Sequence, residues 1–360
     1  MPTRPQFIFI TCQVGAAAAV KAEIAARWPE FRFSFSRPGL LTFKLPEDHR
    51  LPADFSLGAT FARAYGFSLG QIRGESTEAM AAEAWQLLGG RPVQRIHVWP
   101  RDRAEPGYRG FEPALNDESA AVHALLQRTC PAPGQIAADA TDPAAPAARG
   151  EDVLDCVLVE PGSWWIGFHR TRGWASCHPG GMLHLALPAD AVSRAWLKME
   201  EALRWSQLPL AAGARVAEIG SAPGGASQAL LARGYMVTGI DPAEMDPVVL
   251  GHPNFLHIRR RSTQVRRRDF RKIRWLAADM NVAPNYTLDA VEAIVQHPEI
   301  SIRGMLLTLK LIDWSMAEKM PEYLARIRSW GYNVVRARQL QHNRRELCVA
   351  ALQRPFLRKS

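Results

Sequence analysis

From about residue 190 to the end of the chain, short apolar runs alternate with longer segments of helical periodicity. Apolar runs of four to eight residues are typical of buried strands, and apolar residues three and four positions apart are typical of helices. This alternation predicts a mostly parallel, doubly wound α/β sheet. The predicted strands are 215–219, 236–240, 273–278, 304–309, 333–338 and 346–352, and the predicted helices are 192–206, 226–233, 288–296 and 316–330.

The last two predicted strands, 333–338 and 346–352, are separated by a short loop that contains no helix. Parallel neighbours need a long crossover, so these two strands should form an antiparallel hairpin at the edge of the sheet. The last strand should then begin at the sheet edge where the parallel strands end.

The N-terminal part of the chain has a different pattern, in which a strand and a helix are followed by two strands. This order predicts a small α+β unit. Residues 131–150 are rich in Pro and Ala and almost free of large apolar side chains, which indicates a loop or a linker. The predicted strands of this part are 7–12, 31–35, 40–45, 95–99, 153–159 and 164–168, and the predicted helices are 16–28 and 120–128.

The chain of 360 residues carries a net charge of +9, which is concentrated in its last third. Residues 251–360 hold 21 Lys and Arg against 9 Asp and Glu. Such a basic region predicts a polyanionic partner, most simply nucleic acid, although a surplus that only aids solubility is the alternative. The densest part is residues 259–274, with nine Lys and Arg and one acidic residue.

The five cysteines are an odd number, and no two of them are spaced as CxxC. This usage predicts neither a disulfide framework nor a zinc knuckle, and it favours a reducing, cytoplasmic location. The ten histidines show no metal-binding spacing either, so no metal site is predicted. No apolar run approaches the ~20 residues of a membrane span, and the apolar start of the chain is interpreted as a strand and a helix rather than an export signal.

A glycine-rich turn, Gly220–Gly225, follows one predicted strand and opens a helix. Glycines allow a ligand to approach the backbone, and the free N–H groups at a helix start attract an anion. Asp241 ends the next strand, where a carboxylate can accept hydrogen bonds from ribose hydroxyls. The turn therefore predicts a site for a nucleoside-bearing cofactor, with a plain tight turn as the alternative. Its GxxxGG spacing differs from the GxGxxG typical of nicotinamide dinucleotide sites.

Four charged residues should meet near this turn. Asp279 and Lys310 each end a predicted parallel strand, and Glu346 begins the antiparallel last strand, so all three should lie at the same sheet edge. Lys198 lies on the helix that precedes the glycine-rich turn. A single charge at a strand end is more often a solvated surface residue, but four in this order are a far more specific pattern.

The turn Ser221–Gly225 with Asp241 and the set Lys198, Asp279, Lys310 and Glu346 resembles the FtsJ-type RNA ribose 2′-O-methyltransferases, which use a Lys-Asp-Lys-Glu tetrad and S-adenosylmethionine. The segments 193–202 and 337–346 are similar to those of a bacterial subfamily that methylates a cytidine ribose of 23S ribosomal RNA. The resemblance is strong over about 150–360 and weaker over 1–150. It departs from the family at Ser221-Ala222, at Ala195, and at the third strand, where no carboxylate follows His257.

The resemblance implies a Rossmann-like methyltransferase domain over 188–360, preceded by a ferredoxin-like α+β unit over 1–90 and a THUMP-like RNA-binding domain over 91–187. It implies S-adenosylmethionine as cofactor, RNA as partner and a role in rRNA processing. The implied cofactor-binding residues are Gly220, Ser221, Ala222, Pro223, Gly224, Gly225, Asp241 and Asp279. The predicted RNA-binding residues are Arg259, Arg260, Arg261, Arg266, Arg267, Arg268, Arg344 and Arg345, to which the basic tail with Arg354, Arg358 and Lys359 adds.

Methyl transfer to a ribose hydroxyl requires a base, and a lysine serves only when it is neutral. We expect Lys310 to be this base and Lys198 to be the neighbouring cation. Asp279 is expected to orient Lys310, and Glu346 to position Lys198 or the ribose. Exposed tryptophans can stack on RNA bases, but Trp164, Trp165 and Trp174 are more often core residues in such positions.

Three other functions stay open from the sequence. The enzyme could act on another RNA, the fold could belong to a nicotinamide-dependent reductase, or the protein could bind RNA without catalysis. The GxxxGG spacing and the lack of a Tyr-xxx-Lys pair argue against the reductase. The complete set of four charged residues argues against a silent binding protein.

Overall fold

The computed structural model describes residues 4–353 and divides the chain into two compact units, with the division after His184. No helix among these described residues has the length and apolar character that spanning a bilayer requires.

The N-terminal unit is built on a single seven-stranded sheet with the strand order β2-β3-β1-β4-β7-β6-β5. All neighbouring strands are antiparallel except β5 and β6, which are parallel. The elements are β1 (Phe7–Thr11), α1 (Ala17–Arg27), β2 (Arg32–Arg37), β3 (Leu40–Lys44), β4 (Ala64–Arg73), α2 (Thr77–Leu88), β5 (Arg95–Pro100), α3 (Asp117–Arg128), β6 (Asp152–Glu160) and β7 (Ser163–Arg170).

Local signals explain where the two longer helices of this unit begin and end. The Ser76 side chain accepts the Ala79 N–H at the start of α2, and Gly89 ends that helix in the left-handed conformation. Asn116 and Ser119 form a reciprocal capping box at the start of α3. Strand β6 is buried over seven consecutive residues because both faces of the sheet are covered.

The sheet of the N-terminal unit crosses the predicted domain boundary at residue 90. Strands β1–β4 come from before this boundary and β5–β7 from after it, and the two groups join through the antiparallel pair β4 and β7. The division into a ferredoxin-like unit and a THUMP-like domain stays a prediction. Residues 131–150 form loops and one short 3₁₀ turn, as their composition indicates.

The C-terminal unit is the predicted doubly wound α/β fold, with the strand order β10-β9-β8-β11-β12-β14-β13. The first five of these strands are parallel, and β14 is antiparallel to both β12 and β13. Its elements are α4 (Ala195–Ser206), β8 (Arg215–Ile219), α5 (Gly225–Ala232), β9 (Met236–Ile240), α6 (Pro247–Leu250), β10 (Phe255–Ile258), β11 (Trp275–Ala278), α7 (Pro284–Val295), β12 (Gly304–Lys310), α8 (Met320–Ser329), β13 (Val334–Arg338) and β14 (Glu346–Leu352).

The strand order reverses direction between β8 and β11. The chain builds outward from β8 through β9 to β10, and then returns to place β11 on the other side of β8. In open α/β sheets, ligands bind at the carboxyl ends of the strands at such a switch point. The ends of β8 and β11, at Gly220 and Asp279, therefore mark the expected site.

Candidate active site

The glycine-rich turn fits closely against the loop that follows β11. Gly220 has a φ of +79°, and a Cβ at this position would lie 2.5 Å from the Asp279 carbonyl oxygen. Gly224 has a φ of +126°, and a Cβ there would lie 2.7 Å from a methyl group of Val249. Both positions therefore require glycine, because a side chain would be strained and would also collide with its neighbour. The turn brings the start of α5 to the switch point.

Asp241, which follows β9, stabilises this turn through hydrogen bonds. Its Oδ2 accepts the Ala222 N–H at 3.2 Å, and its Oδ1 accepts the Ala243 N–H at 2.8 Å. Ser221 is buried, and its hydroxyl lies 3.5 Å from the sulfur of Met245. A carboxylate can accept about four hydrogen bonds, so the half-buried Asp241 keeps acceptor capacity for a ligand hydroxyl.

The four charged residues singled out in the sequence meet at the carboxyl edge of the sheet. Lys198 Nζ lies 2.6 Å from Asp279 Oδ2 and 2.7 Å from Glu346 Oε1. Lys310 Nζ lies 3.4 Å from Asp279 Oδ1 and 3.8 Å from Glu346 Oε2. Two ammonium groups thus alternate with two carboxylates, and each carboxylate faces both lysines.

The two lysines of this tetrad differ in environment. The Lys198 side chain is 14% exposed and the Lys310 side chain 27%. Burial alone would lower the pKa of Lys198, but the carboxylates of Asp279 and Glu346 outweigh it and raise that pKa. Burial would likewise raise the pKa of Asp279, but the two lysines outweigh it and lower that pKa. Lys198 is therefore held as a cation by tight pairs, whereas Lys310 is more loosely paired and more accessible.

Strand register brings the last two members of the tetrad together. Lys310 ends β12 and is the register partner of Glu346, which begins β14. The antiparallel hairpin of β13 and β14, which the short connecting loop predicts, is confirmed. The antiparallel pairing of β14 with β12 places Glu346 opposite Lys310. In addition, Asn343 Nδ2 donates to Glu346 Oε1 at 3.4 Å.

Glu201 is a supporting residue that the sequence analysis did not identify. Its side chain is buried on α4, where one oxygen accepts the Gln341 N–H at 2.8 Å and the other accepts the His342 N–H at 3.1 Å. These bonds tie the helix that carries Lys198 to the loop that leads into Glu346. A signal was present, since Glu201 lies three residues after Lys198 and one helical turn brings such residues to the same side.

Glu218 is the second supporting residue that was missed. It lies in β8, fully buried, and accepts a hydrogen bond from the Ser227 hydroxyl on α5. Burial raises the pKa of Glu218 to about 8; the Ser227 bond opposes this rise, and nearby Asp279 and Asp241 add to it. The carboxyl is therefore largely neutral near pH 7, and it links the strand before the glycine-rich turn to the helix after it.

The basic residues 259–274 lie only partly at the edge of the sheet that carries the tetrad. Arg259 follows the carboxyl end of β10 and pairs with Glu244 at 3.1 Å. The segment then turns back, so that the Arg274 N–H bonds the Arg215 carbonyl at the amino end of β8. The Arg259–Arg261 end of the segment therefore lies at the carboxyl edge of the sheet, whereas Arg274 lies at the opposite edge.

The remaining predicted RNA-binding residues lie in different parts of the chain. Arg266, Arg267 and Arg268 lie between the two ends of the segment. Arg344 and Arg345 are exposed and immediately precede Glu346, which places them beside the tetrad. The basic tail with Arg354, Arg358 and Lys359 lies outside the described residues.

Two of the three tryptophans considered for base stacking are core residues, and the third is half-buried. Trp164 is 2% exposed and Trp165 is 9% exposed, and the Trp165 indole donates to Ser68 Oγ at 2.8 Å and stacks on Phe35. Both are core residues of the N-terminal unit. Trp174 is half-buried beside His178.

The sequence of the C-terminal unit matches a known family. Residues 191–320 match the FtsJ-like methyltransferase family. Three proteins named ribosomal RNA large subunit methyltransferase M are among the similar sequences. The protein from Laribacter hongkongensis is 31% identical over 188 residues, covering 49% of this chain and 52% of that protein. The Halorhodospira halophila protein is 30% identical, covering 52% and 53%, and the Tolumonas auensis protein is 27% identical, covering 62% and 61%.

The matches to these relatives span about half to three fifths of their length. The family match contains the glycine-rich turn, Asp241 and three of the tetrad residues, Lys198, Asp279 and Lys310. The strand order and the geometry of these residues agree with the sequence match. Residues 191–320 therefore resemble the FtsJ-like methyltransferase family both in sequence and in the placement of these residues.

Proposed function

We propose that the protein is an S-adenosylmethionine-dependent methyltransferase that modifies the 2′-hydroxyl of a ribose in RNA, specifically a cytidine of 23S ribosomal RNA. The observation that carries this proposal is the alternating set of two lysines and two carboxylates beside the glycine-rich turn. Such a set is suited to moving a proton from a hydroxyl, and the family of residues 191–320 supplies the class of reaction.

The residues at the switch point fit S-adenosylmethionine. The turn at Gly220 and Gly224 brings the start of α5, with its free backbone N–H groups, to the switch point. Asp241 has acceptor capacity for ribose hydroxyls, and the carboxylate of Asp279 can face a positively charged group. When bound, this cofactor supplies an electrophilic methyl group on a sulfonium.

Lys310 acts as the general base in this proposal. The ribose hydroxyl loses its proton as it attacks, and a neutral amine within hydrogen-bond distance can accept that proton. Lys310 is the more loosely paired and more exposed of the two lysines, so its amine is the one that can approach the substrate hydroxyl. Asp279 orients Lys310, and Glu346 holds Lys198 in place.

RNA is the proposed substrate because of three observations. The relatives are named as ribosomal RNA methyltransferases. Arg344 and Arg345 are exposed beside the tetrad, and Arg259, Arg260 and Arg261 are exposed at the carboxyl edge of the sheet. Arginines at these positions can contact phosphates, which provides affinity without base specificity. We further propose that the N-terminal unit presents the RNA as a THUMP-like module.

The test is methyl transfer from labelled S-adenosylmethionine to 23S ribosomal RNA that lacks its ribose methylations. We expect label in 2′-O-methylcytidine after digestion of the RNA to nucleosides. Calorimetry should show binding of S-adenosylmethionine and little or no binding of NADPH. Tight NADPH binding without an adenosylmethionine signal would overturn the reaction class, and label in a different nucleoside would overturn only the choice of substrate.

A further inference from the structure

Three polar side chains meet inside the N-terminal unit on neighbouring strands. His97 lies on β5, Asp155 on β6 and His169 on β7, and His97 is the register partner of Asp155. All three are buried, with exposures of 1%, 1% and 8%. One ligand atom from each lies within 4.8 Å of the others.

Several polar atoms of this cluster have no protein partner. Both ring nitrogens of His97 and the Oδ1 atom of Asp155 are buried without a hydrogen-bond partner among residues 4–353. Leaving a buried polar group unpaired costs about 1–3 kcal/mol. A histidine with unpaired nitrogens beside an unpaired carboxylate oxygen therefore points to a ligand that binds one of these nitrogens and the carboxylate together.

We propose that His97, Asp155 and His169 bind a divalent first-row transition metal ion, for which zinc is the test ion. Two imidazoles and one carboxylate suit zinc, whereas calcium and magnesium prefer sites made of oxygen atoms. A tetrahedral zinc ion with bonds of about 2.0–2.2 Å holds its ligand atoms roughly 3.3 Å apart. The three ligand atoms, which lie within 4.8 Å of one another, must approach to that spacing when the ion binds.

The outer contacts of the cluster also fit a metal site. His169 Nε2 lies 2.8 Å from the Ser176 carbonyl oxygen, and His169 Nδ1 lies 2.7 Å from Asp155 Oδ2. A hydrogen bond from one ring nitrogen to a backbone carbonyl is the contact that commonly orients a metal-bound imidazole, and it leaves the other nitrogen as the ligand.

The burial of the three side chains makes this a structural site. The ion would join β5, β6 and β7 to the segment that carries Ser176. This role is independent of the methyl-transfer reaction proposed for the C-terminal unit. The three ligands are far apart in sequence, so spacing rules could not reveal them.

The first test measures metal content. The full-length chain is produced without a histidine tag in zinc-supplemented medium, and its metals are measured by mass spectrometry. We expect about one zinc ion per chain. After metal removal, added Co²⁺ should give the visible absorption of a low-coordinate cobalt site, and added Zn²⁺ should raise Tm. A metal-free chain that shows neither response contains only a hydrogen-bonded cluster, which overturns the proposal.

The second test uses His97→Leu, with His184→Asn as the control because His184 is an exposed histidine of the same unit. His97→Leu should lose the zinc and the cobalt absorption, whereas His184→Asn should keep both. If the cluster binds no metal, His97→Leu only removes two unpaired nitrogens. Tm should then stay the same or rise, and the metal content should not change. That result would refute the proposed metal site. Asp155→Asn provides the same comparison if His97→Leu does not fold.

Discussion

The ammonium group of Lys198 lies 2.6 Å from the Asp279 carboxylate, and both side chains are largely buried. The same carboxylate lies 3.4 Å from Lys310. The stronger pair holds Lys198 as a cation, whereas Lys310 is held more loosely and is more exposed. The different roles that we propose for these two chemically identical side chains rest on their different distances to one carboxylate.

Substitution of Lys310 tests this division directly. Lys310→Ala should lower the single-turnover rate of methyl transfer by ~10²–10⁴-fold, which is the usual cost of losing a positioned base. Lys310→Arg should be equally impaired, because a guanidinium does not release its proton near neutral pH. The affinity for S-adenosylmethionine, measured by calorimetry, should change little in either variant. A Lys310→Arg enzyme with close to the wild-type rate would show that Lys310 is only a cation.

Glu201 should affect the reaction through the position of Glu346. Glu201→Gln replaces one acceptor oxygen by an NH₂ group that faces a backbone N–H, and therefore should shift the 341–342 backbone. We expect kcat to fall by up to ~10²-fold, with cofactor affinity retained. Glu200→Gln is the matched control, because Glu200 is the adjacent residue and pairs with Arg204 and Arg233. Equal kcat losses in both variants would contradict a positioning role for Glu201.

The buried carboxyl of Glu218 should make stability depend on pH. Its pKa is raised to about 8 in the folded protein, whereas an unfolded Glu ionises near its ordinary value of about 4.3. The folded state therefore binds more protons between these values, and this group lowers stability as pH rises, by up to ~1.4 kcal/mol per pH unit.

Glu218→Gln should remove that contribution while retaining the size of the side chain and a hydrogen bond to Ser227. The free energy of unfolding should then fall less steeply between pH 5 and pH 8 than in the wild type. Urea unfolding at several pH values measures both slopes. Parallel pH profiles would mean that Glu218 is already ionised in the folded protein.

The two ends of the basic segment should contribute unequally to RNA binding. Replacing Arg259, Arg260 and Arg261 by Gln should weaken binding to all RNA sequences alike. Each lost phosphate contact should reduce the log–log salt slope by ~0.7–0.9. The control replaces Arg271, Lys272 and Arg274, since Arg271 pairs with Glu299 and Arg274 lies at the opposite edge of the sheet. If the control lowers the slope as much as the test variant, the proposal that RNA phosphates contact the Arg259–Arg261 end of the segment is wrong.

Sequence patterns were sufficient for the C-terminal unit because its strands are short apolar runs between clear turns. Strands β8, β9 and β14 begin and end where the apolar pattern predicts. Strand β10 was not predicted from the apolar pattern, because it has only four residues and one of them is His257; only the family resemblance indicated a third strand there. The tetrad was predictable because strand ends in a parallel sheet converge at one edge.

The contacts that support the tetrad were not predictable in the same way. Glu201 and Glu218 act through backbone N–H groups and a hydroxyl that approach only in the folded chain. Strand β4 was also missed, because Gly66 and Gly70 interrupt its pattern. Helix α2 was missed although a signal was present, since its buried residues Met80, Ala84 and Leu88 recur at helical spacing. Cross-strand clusters such as His97, Asp155 and His169 depend on register, which the composition of single strands does not specify.

The pairing of Lys310 with Glu346 limits the insertions and deletions that this fold can tolerate. Side chains alternate between the faces of a strand, so the loss or gain of one residue inside β12 or β14 would move one of these two charges to the opposite face. A length change in the loop between β13 and β14 leaves the pairing of Lys310 with Glu346 intact. A change of two residues within β12 or β14 keeps the charge on the same face of the sheet but moves it along the strand. Lengths inside these strands are therefore constrained in steps of two residues, and homologous chains that keep this ion pair should vary in length outside β12 and β14.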